Sequence, residues 1–150
     1  MSMKGFTLIE LLVVIAIIGF ISTIAMVNFN SARTKARVAT VYGSFVNIRS
    51  GFQLCLDSSG VMVHDGADAC INIGGIPSPT KIPKANMTFC APSASFGSIG
   101  KWPTLPSGWG YTFCAQDFAK GKFQYAAAGP SCIIACDEIR CTRSAGCPKF

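Results

Sequence analysis

Eight cysteines, one histidine and seven carboxylates are the groups in this 150-residue chain with the most chemistry to offer. The cysteines are Cys55, Cys70, Cys90, Cys114, Cys132, Cys136, Cys141 and Cys147, an even set confined to the chain beyond its apolar beginning. One cluster, Cys132-x3-Cys136-x4-Cys141-x5-Cys147, is dense enough to suggest zinc or iron–sulfur. Structural zinc sites use closer paired spacings, and no C-x2-C element is present. Disulfides in an oxidising compartment are therefore the expectation, each long-loop bridge contributing about 2–4 kcal/mol. The spacing does not choose among the many pairings that eight cysteines allow. His64 stands apart from any serine or cysteine motif and reads as a surface or strand-end residue, since a triad needs the base beside its nucleophile. Gly97-Ser98-Ile99-Gly100-Lys101 lacks the spacing of a phosphate loop. Asp65 and Asp68 are the calcium candidates, and Asp137-Glu138 is a second acidic pair; both read as solvated carboxylates. Asn86-Met87-Thr88 fits a glycosylation sequon. No catalytic residue, resident metal or cofactor is expected, and the chain does not read as an enzyme. Glu10 is different: a carboxylate inside an apolar run costs a few kcal/mol, so it calls for a partner or a function.

The elements that carry these groups follow from where the apolar residues fall. Half the residues are hydrophobic and 13% are charged, against about 25% in an average soluble domain. Mean hydropathy is +0.42, and the surplus is concentrated at the start, where residues 1–32 carry two charges, Lys4 and Glu10. From Phe6 to Val27 the run would measure about 33 Å as a helix, enough to cross a hydrocarbon core of about 30 Å. A cleaved secretory signal places small residues after its apolar run. Here Asn28-Phe29-Asn30-Ser31 follows, while Gly5 precedes it. Cleavage at Gly5 would leave the apolar helix on the mature chain.

After Asn30 the pattern becomes amphipathic. Val38, Val41, Phe45, Ile48, Phe52 and Cys55 recur every three or four residues, which is one stripe of a helix. One helix is therefore expected from about Phe6 to Leu56, with Gly43 and Gly51 weakening it locally. A bridge from Cys55 would tie that helix to what it packs against. Asp57-Ser58-Ser59-Gly60 supplies the stop. Val61 to His64 is a candidate strand, and the prolines at 77, 79, 83, 92, 103 and 106 exclude long helices and central strands from the stretch around them. Tyr111 to Phe118 and Lys122 to Ala127 flank Ala119-Lys120-Gly121 as an antiparallel hairpin, with a short third strand from Ser131 to Cys136. Trp102 and Trp109 read as core or inter-subunit packing. The fold class is α+β: a long amino-terminal helix on a small antiparallel, disulfide-rich head. The expected divisions are a leader at 1–5, a membrane or filament-core helix at 6–30, an amphipathic continuation at 31–57 and a β-rich head at 58–150.

Lys4-Gly5-Phe6-Thr7-Leu8-Ile9-Glu10-Leu11, with the apolar run behind it, resembles the type IV prepilin signature. The resemblance is specific over residues 4–27; beyond them it is one of general layout. It implies a cut between Gly5 and Phe6 by a membrane peptidase that also N-methylates Phe6. It implies further that Glu10 meets the terminal amine of a neighbouring subunit and fixes register as helices stack. Such a buried pair is poor evidence of stability and a reasonable register device. Two departures stand out. The helix-bending proline found in many members is here Val27, so a straighter helix is expected. Arg33, Lys35 and Arg37 lie on the exported side, against the positive-inside bias.

The resemblance implies a structural role: a subunit inserted in the cytoplasmic membrane by one helix, its head exported, then polymerised into a pilus-like filament. Its partners would be other copies and other pilins, the prepilin peptidase/methyltransferase, an inner-membrane platform protein and an assembly ATPase. The alternatives are a type II secretion pseudopilin in a periplasmic filament and a competence-type pilin whose basic head contacts DNA. Net charge is +6 and pI about 9.0, but Lys81, Lys84, Lys101, Lys120 and Lys122 are scattered and no recognised nucleic-acid module holds them.

Overall fold

A fifty-residue run without proline, apolar first and amphipathic later, gives one helix. In the computed structural model, which describes residues 6–66, 68–72, 81–91, 100–117 and 120–149, α1 runs Leu8–Asp57. Two compact units divide the chain, Met1–Ala36 and Arg37–Phe150.

The described residues of the first unit are a helix without a covered face. Phe6, Leu8 and Phe20 are at least 70% exposed, and Leu11 to Ile18 present aliphatic side chains to every side. An 18-residue window has a mean hydropathy of 2.7, long and apolar enough to cross a membrane. The few hydroxyls turn back on the helix itself. Ser22 Oγ donates to the Ile18 carbonyl at 2.7 Å and Thr23 Oγ1 to that of Phe20 at 2.8 Å. Polar atoms so satisfied cost little in hydrocarbon.

In the second unit the helical stripe does what its spacing predicts. Val38, Val41, Phe45, Ile48, Phe52 and Cys55 are all buried, while Arg37, Thr40, Asn47 and Ser50 face outward. The helix stops where expected. Ser59 takes a left-handed φ of 59°, and the Gly60 amide donates to the Cys55 carbonyl at 2.7 Å.

Among the described residues the strands that follow are β1 (Val61–Met62), β2 (Ile71–Asn72), β3 (Cys90–Ala91), β4 (Gly110–Asp117), β5 (Lys122–Ala128), β6 (Ile133–Asp137) and β7 (Cys141–Arg143). The main sheet has the order β2-β4-β5-β6-β7, and β1 pairs with β3 apart from it. The predicted hairpin is β4–β5, with Asp117 opposite Lys122 and Gly121 at a φ of +61° in the turn. The third strand, β6, is antiparallel to β5. The sheet is antiparallel but for β2, which adds to β4 in parallel. The expected strand from Val61 to His64 is shorter than its residues suggested: β1 ends at Met62, and Val63 makes an isolated bridge with Ala69.

Between α1 and the sheet lies an aromatic core. Phe52 sits at its centre, with ring centroids of Phe89, Tyr125, Trp102 and Phe123 at 4.3, 4.7, 5.0 and 5.5 Å. Edge-on pairs of this kind add to the area term. The polar tips of these rings reach backbone carbonyls: Tyr125 Oη donates to Phe45 at 2.7 Å and Trp102 Nε1 to Val63 at 2.8 Å. Trp102 is thus core, and Trp109 packs half-buried against it.

Candidate functional site

The chemistry-bearing residues separate into an amino-terminal group and a cross-linked head. In the first, Thr7 and Glu10 make a reciprocal cap. Glu10 Oε2 accepts from the Thr7 amide and from Thr7 Oγ1, both at 2.8 Å, while the Glu10 amide donates back to Thr7 Oγ1 at 3.4 Å. This is the S/T-x-x-E capping box, in which two amides left over at a helix start are satisfied by two side chains. It explains how a carboxylate is tolerated at the head of an apolar helix. Phe6 stands immediately before the cap, 79% exposed. Gly5, the expected cleavage residue, lies outside the described residues. The cap was readable as Thr7-Leu8-Ile9-Glu10 ahead of an apolar run, a signal the wider signature overshadowed.

All eight cysteines are paired. The bridges are Cys55–Cys90, Cys70–Cys114, Cys132–Cys147 and Cys136–Cys141. Each follows from the strands that carry it. Cys55 on the helical stripe reaches β3, as a tie between helix and head requires. Ile71 is in parallel register with Ala115, which brings the preceding residues, Cys70 and Cys114, side by side. Cys136 and Cys141 are direct cross-strand partners on β6 and β7. Cys132–Cys147 closes the same segment from outside. The cluster of four that could have held a metal is spent on these two bridges.

Gly60 shows how tightly the first bridge is packed. A Cβ there would lie 2.7 Å from Cys90 Sγ, 2.7 Å from the Cys55 carbonyl oxygen and 2.9 Å from Cys55 Sγ. The glycine serves close approach, while the neighbouring serine takes the left-handed backbone.

Polar side chains on the strands secure the head. Gln116, fully buried on β4, accepts from the Met62 amide at 2.7 Å and donates to the Met62 carbonyl at 3.1 Å. Its amide plays the part of a strand beside β1. Asp137 accepts from the amides of Arg140 and Ile139, each at 2.8 Å. The bond from Arg140, joined by that from Ile139 and the positive charge of Arg140 and Arg49, holds its carboxyl below the usual range. Burial pushes the phenols of Tyr111 and Tyr125 well above theirs. Asp137 is therefore a turn anchor rather than the free surface carboxylate the sequence suggested.

His64 lies two residues beyond β1 and is 4% exposed, so of the two expected placements the strand-end one holds and the surface one does not. Its amide donates to the Asp68 carbonyl at 3.0 Å, and its carbonyl accepts from the Lys84 amide at 2.8 Å, which draws it under the chain. Asp65 and Asp68 stand beside it, Asp65 half-buried and Asp68 exposed. Two of the lysines considered for DNA already face carboxylates: Lys84 Nζ is 3.6 Å from Asp65 and Lys122 Nζ 3.9 Å from Glu138.

Comparison with known proteins agrees with this architecture. Residues 1–26 match the family described as the prokaryotic N-terminal methylation motif. The chain is 37% identical over 95 residues to the type IV wide pilus major component PilA4 of Thermus thermophilus, covering 63% of this chain and 68% of that one. It is 40% identical over 78 residues to prepilin peptidase-dependent protein D of Escherichia coli, covering 51% and 50% of the two chains. A probable minor fimbrial protein of Dichelobacter nodosus is 35% identical over 69 residues, 46% of this chain and 43% of that one. The chain spans about half the length of these last two relatives. No solved structure matches.

Proposed function

The chain belongs to the type IV pilin and pseudopilin family, and on that premise we propose that it is a subunit that polymerises through its amino-terminal helix into a type IV pilus-like filament. The observation that carries the reading is the helix with no covered face, from Leu8 through Met26. So much exposed apolar surface requires lipid before assembly and the helices of other subunits after it. Burial of that surface drives association without direction, so register needs a polar device.

Glu10 is that device in this proposal. Processing between Gly5 and Phe6, with methylation of Phe6, leaves an amine next to the cap. Both cap bonds that the Glu10 carboxylate accepts end on Oε2, so a neighbour's amine is received at Oε1 without undoing the helix start. The peptidase, the platform protein and the assembly ATPase are the partners this route requires. The membrane holds the subunit, head outward, until it is drawn into the filament. The chain is structural, in keeping with its relatives, and no catalytic role is assigned to any residue.

The test is the intact, unreduced mass of the chain from filaments sheared off its native host. A product that starts at methylated Phe6, and is lighter by two hydrogens for each of the four bridges, supports the surface filament. The same mass found in the envelope alone moves the assignment to the type II secretion pseudopilin. A chain starting at Met1 refutes the processing. In the same host, Glu10→Ala is expected to insert in the membrane and fail to assemble; normal filaments would remove the register role.

A further inference from the structure

His64 carries a buried nitrogen without a hydrogen-bond partner among the described residues: Nδ1 is fully enclosed in a side chain 5% exposed. Buried polar atoms are paired in nearly all folded proteins, and one that is not asks for an explanation. Nδ1 faces the Asp65 carboxylate. Asp65 Oδ2 is 4.0 Å away, and one ligand atom each from His64, Asp65 and Asp68 fall within 4.8 Å of one another.

We propose that His64 Nδ1, Asp65 and Asp68 form a zinc site in the head. The chemistry of the set selects the ion. Imidazole nitrogen suits zinc and is a poor ligand for calcium or magnesium, which take oxygen. Two carboxylates with one neutral imidazole balance a divalent charge. Tetrahedral bonds of about 2.0–2.2 Å place ligand atoms about 3.3–3.5 Å apart. The Nδ1–Oδ2 pair is within about half an ångström of that spacing, and the exposed Asp68 side chain has room to close the rest. Water would complete the coordination on the open side.

The backbone already holds the ligands in place. The His64 amide donates to the Asp68 carbonyl at 3.0 Å, and the Asp68 amide donates to Asp65 Oδ1 at 2.9 Å, so Asp65 turns Oδ2 towards the imidazole. The Lys84 amide fixes the His64 carbonyl at 2.8 Å, and Trp102 Nε1 fixes the preceding carbonyl of Val63 at 2.8 Å. Ligands seated on such a clamped loop lose little freedom on binding. Lys84 Nζ, 3.6 Å from Asp65 Oδ2 and largely exposed, is the cation that zinc displaces.

The histidine is the sole one in the chain, so its imidazole nitrogens can be read without assignment. The full chain, untagged, detergent-solubilised and stripped with EDTA, is titrated with zinc chloride while long-range proton–nitrogen spectra and binding heat are recorded. The expected result is a shift of the Nδ1 resonance saturating at one equivalent. Calcium at the same concentration leaves it unmoved. Asp68→Ala, at an exposed position, should weaken binding about 10–100-fold, and Lys84→Ala should tighten it several-fold. No imidazole shift at millimolar zinc, metal on Nε2 instead of Nδ1, or unchanged affinity in Asp68→Ala would each overturn the site.

Discussion

Replacing Gln116 by leucine removes a side chain that stands in for a strand. The shape is nearly conserved, so little cavity forms and the hydrogen bonds are isolated. Met62 is fully buried, and its amide loses the bond at 2.7 Å to Gln116 Oε1. Its carbonyl loses the bond at 3.1 Å from Gln116 Nε2 but keeps the Cys70 amide at 2.8 Å. One buried amide left unpaired costs about 1–3 kcal/mol, and the second bond adds about 1 kcal/mol, so a loss of about 2–4 kcal/mol is expected. Met62 belongs to the backbone, so the substitution cannot remove both partners and escape the penalty. Guanidinium unfolding of the oxidised, detergent-solubilised chain, followed by tryptophan fluorescence, measures it. Trp102 reports directly, because its indole is bonded to Val63, next to Met62. Gln124→Leu, at an exposed position of β5, is the control and should stay within about 0.5 kcal/mol of the parent. If Gln116→Leu is equally neutral, the strand-substitute reasoning is wrong.

Gly60→Ala should obstruct the Cys55–Cys90 bridge, because the new methyl would overlap both sulfurs and a backbone oxygen. Thiol titration of the purified chain should find two reactive cysteines where the parent has none. Phe52→Ala empties the centre of the aromatic core and should cost about 3–5 kcal/mol in the same unfolding assay; a loss under about 1 kcal/mol would mean the core closes over the gap. Stability should fall as pH rises through about 10, because the unfolded chain then releases the protons of Tyr111 and Tyr125 while burial keeps both phenols neutral in the fold. At the acid end the sign reverses. The Asp137 carboxyl is held below its ordinary value, so its contribution is full at neutral pH, begins to fade below the unfolded value near 4 and is gone once the native group protonates. Asp137→Asn should flatten that limb of a pH–stability curve.

What was legible in the sequence is what repeats. Six apolar residues from Val38 to Cys55 at helical spacing gave a helix and its buried face, and Ala119-Lys120-Gly121 between alternating residues gave the hairpin. β2 and β3 were not legible, because two-residue strands have no period, and their pairing is decided by distant partners. The parallel β2–β4 ladder is tied in place by Cys70–Cys114, a connectivity that spacing does not encode. Gln116 and His64 look like surface residues by type. Each is buried because a backbone group elsewhere meets it or draws it in, Met62 in one case and Lys84 in the other. The Thr7–Glu10 cap was legible as a local motif, and finding it changes how the carboxylate is understood: it has a partner within its own chain before any neighbour arrives.

The order of the bridges along the chain bears on how the head is made. Cys55–Cys90 and Cys70–Cys114 interleave, whereas Cys136–Cys141 lies inside Cys132–Cys147. A head emerging amino terminus first presents Cys55 and Cys70 before either native partner has appeared. An oxidant that joined thiols in order of arrival would close the wrong loop. Correct pairing then needs either thiols kept reduced until Cys90 and Cys114 emerge, or a second thiolate to break and exchange the premature bond. The carboxyl-terminal set meets the same conflict, since Cys132 and Cys136 also emerge before their partners Cys147 and Cys141. Neither half of the head reaches its native bridges by pairing in order of arrival, so both call for delayed oxidation or thiol–disulfide exchange.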